Sequence, residues 1–432
     1  MTILVVGGGG REHALGWALA RSAARPRLLF APGNAGTAAL GENVPVSATD
    51  VDALAALARE RGVDLTVVGP EGPLVAGLVD RFEAEGRPIV GPTAAAACLE
   101  GSKAFAKAFM RRHGIPTAAF RTFNRHEATA ARAYVEAVEG PVVVKASGLA
   151  AGKGVVVCAD AAEARAAVDD AFGAVEGEAG RFGAAGDEVV VEDFMAGEEA
   201  SLFVLTDGAS YALLPPAQDH KRLLDGDRGP NTGGMGAYSP APVLTPGLVN
   251  RACREIVEPT LAAMMAEGHP FRGILYVGLM LTSEGPKVVE FNARLGDPET
   301  QAVLPLLETD LVAVFEALAH RRLDRVSLVA TDQHAATVVL AAGGYPATPR
   351  SGDVITGLEE AAAVPGALVF HAGTGRREDG QVVTSGGCVL AVTGVGATLR
   401  QALGVAYEAA AHVRFEGMQL RRDIGHRALA AA

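Results

Sequence analysis

Four consecutive glycines stand directly behind a short apolar strand. Ile3–Val6 has the make-up of a buried strand, and Gly7-Gly8-Gly9-Gly10-Arg11-Glu12-His13 follows at once. A helix is expected from about Ala14 to Ala20. A strand that runs through glycines into a helix start places free backbone N–H groups beside the positive helix end. Such a corner is an anion site. The arrangement recurs. Pro32–Thr37 follows a second strand, Leu65–Val68 closes at Gly69-Pro70-Glu71-Gly72-Pro73, and Ile89-Val90 closes at Gly91-Pro92. With helices at Asp52–Arg61 and Leu74–Glu85 between them, these strands predict a parallel sheet. Ligands gather at the carboxyl ends of such strands, where the glycine loops lie.

The corner does not read as a dinucleotide site. That fingerprint requires a third glycine where this chain has Glu12, and an acid near Leu28–Ala31, where there is none. A single phosphate fits better than a nicotinamide or flavin cofactor. Glu71 is either a solvated loop carboxylate or a holder of sugar hydroxyls.

At 432 residues the chain has room for about three domains. A hydrophobic content of 49% supports a large packed core, and a net charge of −12 argues against nucleic acid or an anionic membrane as partner. Cys98, Cys158, Cys253 and Cys388 are scattered, with no Cys-x-x-Cys, so reduced thiols in a cytoplasmic protein are expected. No apolar run reaches the length of a membrane span, and Ile3–Val6 is too short for a signal segment.

The character of the chain changes near Cys98. Glu100-Gly101-Ser102-Lys103 opens a helix that ends at Gly114. Val142–Val144 is a buried strand with Lys145 at its end, and Gly148–Gly154 is a glycine loop before the next valine strand. Such a loop can close over phosphates with its amides, and Lys145 can meet phosphate oxygens as a point charge. A strand-end lysine and a plain hairpin are the alternative. Strand Glu188–Val191 exits into Glu192-Asp193-Phe194-Met195, whose backbone could pair with an adenine edge, and Glu199 on the next strand could take ribose hydroxyls. Gln218–Arg222 and Gly229–Pro240 form a long polar, glycine-rich segment of the kind that is usually functional or disordered. A helix is expected over Leu248–Gly268 and a strand over Ile274–Leu281.

The next strand, beginning at Lys287, carries the chemistry. Alternation puts Glu290, Asn292 and Arg294 on one side. A carboxylate and an amide oxygen suit Mg²⁺, and the arginine can brace an anion. A solvated edge strand is the bland alternative for so short a motif. The last part holds strands near Thr337–Leu340, Leu368–His371 and Cys388–Thr393 and a helix at about Leu399–Val413, without a catalytic cluster.

Taken together, Gly7–His13, Pro32–Thr37, Gln218–Arg222, Asn231–Pro240 and Glu290–Thr300 resemble the phosphoribosylamine–glycine ligase (glycinamide ribonucleotide synthetase) family of purine biosynthesis. The likeness covers essentially the whole chain, and the Glu290 motif is similar to that of the wider ATP-grasp superfamily. It implies an α/β protein. A Rossmann-like parallel-sheet domain would span 1–100, an ATP-grasp domain 101–325 with a lid at about 120–195, and a β-rich α+β domain 326–432. It implies ligation of 5-phosphoribosylamine to glycine with ATP, through glycyl phosphate, without a protein nucleophile. By the same match Glu290 and Asn292 would hold Mg²⁺ or Mn²⁺. Lys103 and Lys145 would meet ATP phosphates under a lid loop that includes Gly148, Gly152, Lys153 and Gly154. Glu192, Asp193, Phe194 and Met195 would form the adenine hinge, with Glu199 on the ribose. Arg294, Lys145 and Asp219 are the implied catalytic residues. Gly9, Gly10, Asn34, Glu71, Asn231, Thr232, Arg294 and Asp297 are the implied substrate contacts. Small-molecule substrates, a monomer with a dimer as alternative, and no nucleic-acid or membrane partner complete the expectation. Tyr276–Met280 has no second metal carboxylate, which leaves the number of ions open. Ala217 and Leu295 stand where the family pattern has serine and phenylalanine. Another ATP-grasp ligase or carboxylase of purine metabolism is the alternative within the class, and the Gln218–Pro240 segment argues against it. A dehydrogenase or nucleotide-binding regulator is the alternative of another class, and the missing acid after the second strand opposes that one.

Overall fold

The computed structural model describes residues 1–150, 154–174 and 180–431. Its opening strand, Thr2–Gly7, is the centre of a five-stranded sheet. Arg27–Pro32 and Leu65–Val68 flank it, Glu42–Asn43 and Ile89–Val90 form the edges, and every pairing is parallel. Ile3 to Val6 are all fully buried, because helices cover both faces, and that explains the unbroken apolar run. The first helix begins at Gly10, four residues before the expected start. Glu12 makes the difference: its carboxylate accepts the N–H of Gly9 at 2.5 Å and caps the turn from inside. Room for that buried side chain comes from two glycines. A Cβ on Gly7 would lie 2.7 Å from Glu12, and one on Gly69 would lie 2.0 Å from it. The residue that spoils the dinucleotide fingerprint is thus the keystone of the corner. The helix expected over Leu74–Glu85 is two short ones, Glu71–Val75 and Leu78–Ala84, separated at Gly77 with φ +85°.

A four-stranded antiparallel sheet, Phe120–Asn124, Glu188–Asp193, Val142–Ala146 and Val155–Cys158, has its own core of Phe123, Val144, Val168 and Phe172 under two helices. A second antiparallel sheet holds Tyr211–Leu213, Glu198–Thr206, Gly273–Thr282 and Gly285–Asn292. In its last pair Gly278 faces Glu290 while Leu279 faces Val288, so Val289 is an additional residue in a bulge. The expected Leu248–Gly268 helix is interrupted by a π segment, Cys253–Val257. Pro259 follows it, and its missing N–H breaks the regular ladder.

The last sheet contains the three expected strands as His334–Ala341, Ala367–His371 and Cys388–Gly396, packed on the helix Leu399–Ala410. It also recruits Gln218–Asp219 and Gly236–Ser239 from the polar middle segment, which is therefore partly strand rather than loop. One core runs from Ile3 and Phe30 through Phe315 to Phe370 and Ala391, tying the first sheet to the last. Among the described residues no helix is long and apolar enough to cross a membrane.

Candidate active site

A cleft of about 830 Å³ opens where these units meet. Lys145, at the end of its valine strand, is only 4% exposed. Its Nζ lies 2.9 Å from Glu192 Oε1 and donates to the Val289 carbonyl at 3.1 Å. The bulge at Val289 is what leaves that carbonyl outside the ladder. Lys107 lies 2.9 Å from the other Glu192 oxygen and donates to Thr117 Oγ1 at 2.6 Å. Burial pushes the Lys107 ammonium down to about 8, although Glu192 pulls the other way. Glu192 lines the cleft and anchors two buried lysines there.

Phe194 and Met195 follow Glu192 on the chain and line the cleft. The amide of Asp193 is taken by the Ala119 carbonyl at 2.9 Å. The backbone groups of Phe194 and Met195 have no partner among the described residues, and Phe194 is 46% exposed and shares the lining of the cleft with Val143, Val157 and Met280. An apolar slot edged by unsatisfied backbone is what a flat heterocycle needs. Glu199 lines the same cleft, 2.9 Å from Lys221 Nζ, which holds its carboxylate below the usual range. Lys103 donates to the Gly148 carbonyl at 3.3 Å, and burial lowers its pKa against the pull of Glu290. Gly148 has no space for a side chain, since a Cβ would meet Ala185 Cα at 2.7 Å. Gly154 closes the strand end by accepting from Ala146 N–H at 2.8 Å. Gly152 and Lys153 lie outside the described residues.

Glu290, Asn292 and Arg294 all line the cleft. Burial works against the Glu290 carboxylate, but Lys221, Lys145, Lys103 and Arg294 outweigh it and keep the group ionised. Its nearest cation, Lys221, is 3.9 Å away, and neither its oxygens nor the Asn292 amide has a hydrogen-bond partner among the described residues. Arg294 is different. Its Nη2 is 2.7 Å from Glu100 Oε1, its Nε is 3.2 Å from Glu71 Oε2, and Nη1 donates to the Leu295 carbonyl. The arginine expected to face a substrate anion is committed to two carboxylates. Burial raises Glu100 to about 7, while Glu71 is held low because Arg294 and Arg11 outweigh its burial.

Asp219 faces the same space with no hydrogen-bond donor among the described residues. Burial, with Glu299, Glu199 and Glu290 nearby, pushes its carboxyl up to about 7 despite Lys221. Asn231, Thr232 and Asp297 also line the cleft. The Thr232 hydroxyl donates to the Lys221 carbonyl and receives the Gly234 N–H, so it shapes the turn. Asn34 is a turn staple: its Nδ2 donates to the carbonyls of Gly8 and His371, and its Oδ1 accepts from Gly36 and Thr37. Gly9 and Gly10 pack against Glu12, Asp297 and Gln301, and of that corner it is Arg11 that lines the cleft. The sequence reading did not single out Arg11, Glu100 or Lys107. Each looks like an ordinary helix charge until its distant partner is known.

A second group, His220, Asp227 and His426, has metal-ligand side chains within 4.8 Å of one another. His220 Nε2 accepts the Gly425 N–H, so the proton sits on Nδ1, the atom that faces Asp227. A protonated Nδ1 cannot ligate, and Arg421 and Arg427 already neutralise Asp227.

Three family models match the chain consecutively: the N domain of phosphoribosylglycinamide synthetase over residues 1–100, its ATP-grasp (A) domain over 101–300, and its C domain over 335–427. The chain belongs to the phosphoribosylglycinamide synthetase family. The phosphoribosylamine–glycine ligase of Ralstonia nicotianae is 52% identical over 432 residues, covering 99% of this chain and 100% of that one. The ligase of Chlorobaculum tepidum is 51% identical with the same coverage. The crystal structure of the Thermotoga maritima phosphoribosylamine–glycine ligase superposes with a TM-score of 0.82 at 36% identity, covering 98% and 100% of the two chains. A biotin carboxylase domain from Hydrogenobacter thermophilus shares the fold, with a TM-score of 0.70 at 17% identity over 97% of this chain and 91% of that one. The chain is accordingly an ATP-dependent ligase of purine biosynthesis with an ATP-grasp domain.

Proposed function

We propose that this cleft joins 5-phosphoribosylamine to glycine in two steps at one place. The glycine carboxylate attacks the γ-phosphate of ATP, giving glycyl phosphate and ADP. The amine of phosphoribosylamine then displaces phosphate from the acyl carbon, giving glycinamide ribonucleotide. The observation that carries this reading is the set of oxygens on Glu290 and Asn292, uncommitted among the described residues, near Lys103 and Lys145 in a cleft where the described residues include no activated nucleophile. Among the described residues the cleft hydroxyls are those of Thr232, which donates to a carbonyl, and Tyr276, which pairs with Ser201. Phosphoryl transfer then rests on positioning and charge.

An ionised carboxylate and a neutral amide oxygen, both without other partners, are the donor set of a hard divalent cation. Glu290 and Asn292 would hold Mg²⁺ or Mn²⁺. When bound there, such an ion neutralises phosphate oxygens as charge develops on them. Lys145 and Lys103 supply fixed positive charge beside the triphosphate, with Lys145 oriented by Glu192. Phe194 and Met195 offer their backbone to the adenine edge, and Glu199 its carboxylate to the ribose. Asp219, held near neutrality, can accept the proton that the attacking amine must lose. Arg294 acts by fixing Glu71 and Glu100. The uncommitted amides of Gly10 and Arg11 at the helix start favour the phosphate of phosphoribosylamine. The four free thiols accord with a cytoplasmic enzyme.

The test is ADP release with each substrate withheld in turn. The reading requires glycine and phosphoribosylamine together for sustained turnover. ATP cleavage indifferent to glycine would overturn it.

A further inference from the structure

Lys107 is 2% exposed in the middle of a helix that runs from Lys103 to Arg112. Burying an ammonium is costly unless a carboxylate answers it. Here the charges do not balance. Lys107 Nζ and Lys145 Nζ each lie 2.9 Å from Glu192, one on either oxygen, and Glu192 is itself 2% exposed. Among the described residues neither lysine pairs with another carboxylate. Burial lowers the Lys107 ammonium only to about 8, so it is charged at neutral pH. Two cations on one carboxylate leave the cluster with a net positive charge. Glu192 and Lys145 alone would be a neutral buried pair, and Lys107 is the charge in excess.

The geometry shows which lysine can use that excess. Lys145 Nζ donates to the Val289 carbonyl at 3.1 Å. Its approach to Glu192 Oε1 is a charge contact off the line of a hydrogen bond, for that oxygen has no hydrogen-bond donor among the described residues. An ammonium carries three N–H donors, so Lys145 keeps some for a ligand in the cleft that it lines. Lys107 is tied more firmly. Its Nζ donates to Thr117 Oγ1 at 2.6 Å, and that hydroxyl donates to the Val288 carbonyl at 2.7 Å. The two lysines are thus fastened to successive carbonyls of the strand that carries Glu290.

We infer that Lys107 is a positioning residue for the nucleotide polyphosphate: by neutralising Glu192 it leaves the charge of Lys145 free to meet the phosphates. The inference rests on the reading that Lys145 meets ATP phosphates, and it adds the residue that keeps Lys145 able to do so. Without Lys107 the whole carboxylate charge falls on Lys145 and cancels it. At such short range inside a protein one unit charge weighs heavily on a polyanion.

The experiment measures the affinities of ADP and adenosine for the whole chain by calorimetry at one fixed Mg²⁺ concentration. Their ratio reports the phosphate contribution and cancels any loss at the adenine end. Lys107→Gln keeps a donor beside Glu192 and Thr117 but removes the charge. The ADP-to-adenosine ratio should fall about tenfold to a hundredfold, with adenosine affinity unchanged. Lys107→Gln combined with Glu192→Gln returns the cluster to its original net charge, and the ratio should recover by about tenfold. Lys107→Met, an apolar side chain of similar length that suits burial, carries the same expectation as the single glutamine variant should that one not fold. A ratio that stays parental without the Lys107 charge overturns the inference. A double variant that recovers nothing also overturns it and makes Lys107 a packing residue. Equal losses of ADP and adenosine affinity do the same. Parent protein that binds ADP no more tightly than adenosine defeats the phosphate reading of the cleft itself, which is a separate and visible outcome.

Discussion

Arg294 Nη2 and Glu100 Oε1 are 2.7 Å apart, joining the end of the strand that carries Glu290 to a helix of the N-terminal part of the chain. Glu100 also accepts the Ala293 N–H at 2.6 Å, so it holds both the backbone and the side chain at the foot of the cleft. Removing one partner of a buried ion pair leaves an uncompensated charge. We expect Glu100→Ala to cost about 3–5 kcal/mol of stability in denaturant unfolding. Glu100→Gln keeps a hydrogen bond and should cost less. A loss below about 1 kcal/mol, the worth of an exposed pair, would contradict the pairing.

The same carboxyl gives a pH signature. Burial holds Glu100 at about 7 against an ordinary value of 4.5. Between those values the folded chain keeps a proton that the unfolded chain has lost. Protons then favour folding, so this group's contribution is greatest at the acid end and falls as pH rises through the window. Glu100→Gln should flatten the stability–pH curve between about 4.5 and 7 relative to the parent. Curves that stay parallel across that window would contradict the shift.

Asp219 predicts a kinetic signature. Its carboxyl, pushed to about 7, must be ionised to accept a proton from the attacking amine. The rate should therefore climb as pH rises through neutrality. Asp219→Asn should lower kcat by about 10²- to 10⁴-fold and abolish that limb. Retention of the limb in the variant would assign it to another group.

Glu290→Ala should leave the fold intact by circular dichroism and lower glycine-dependent ATP cleavage by at least about 100-fold. Near-parental turnover would remove Glu290 from the metal site.

Local signals carried the reading where chemistry is local. The strand at Ile3–Val6, the strand Val142–Lys145 and the strand that carries Glu290 and Asn292 are each written in a dozen residues or fewer, and each strand lies where expected. What stayed hidden depends on partners far along the chain. Lys107 looks like any helix lysine until Glu192 is beside it, and Glu100 like any helix acid until Arg294 is. Gln218–Asp219 and Gly236–Ser239 were illegible as strands because they are short, polar and glycine-rich, and only the neighbouring sheet makes them strands. Arg294 shows the converse limit. Its place on the motif was legible, but its two carboxylate partners were not.

The most direct test of the central claim follows oxygen. Glycine carrying ¹⁸O in its carboxylate is turned over with ATP and phosphoribosylamine, and the released phosphate is analysed by mass. If the cleft phosphorylates the glycine carboxylate, each phosphate carries one ¹⁸O from glycine. Phosphate free of the label would show that the carboxylate never joined the γ-phosphate.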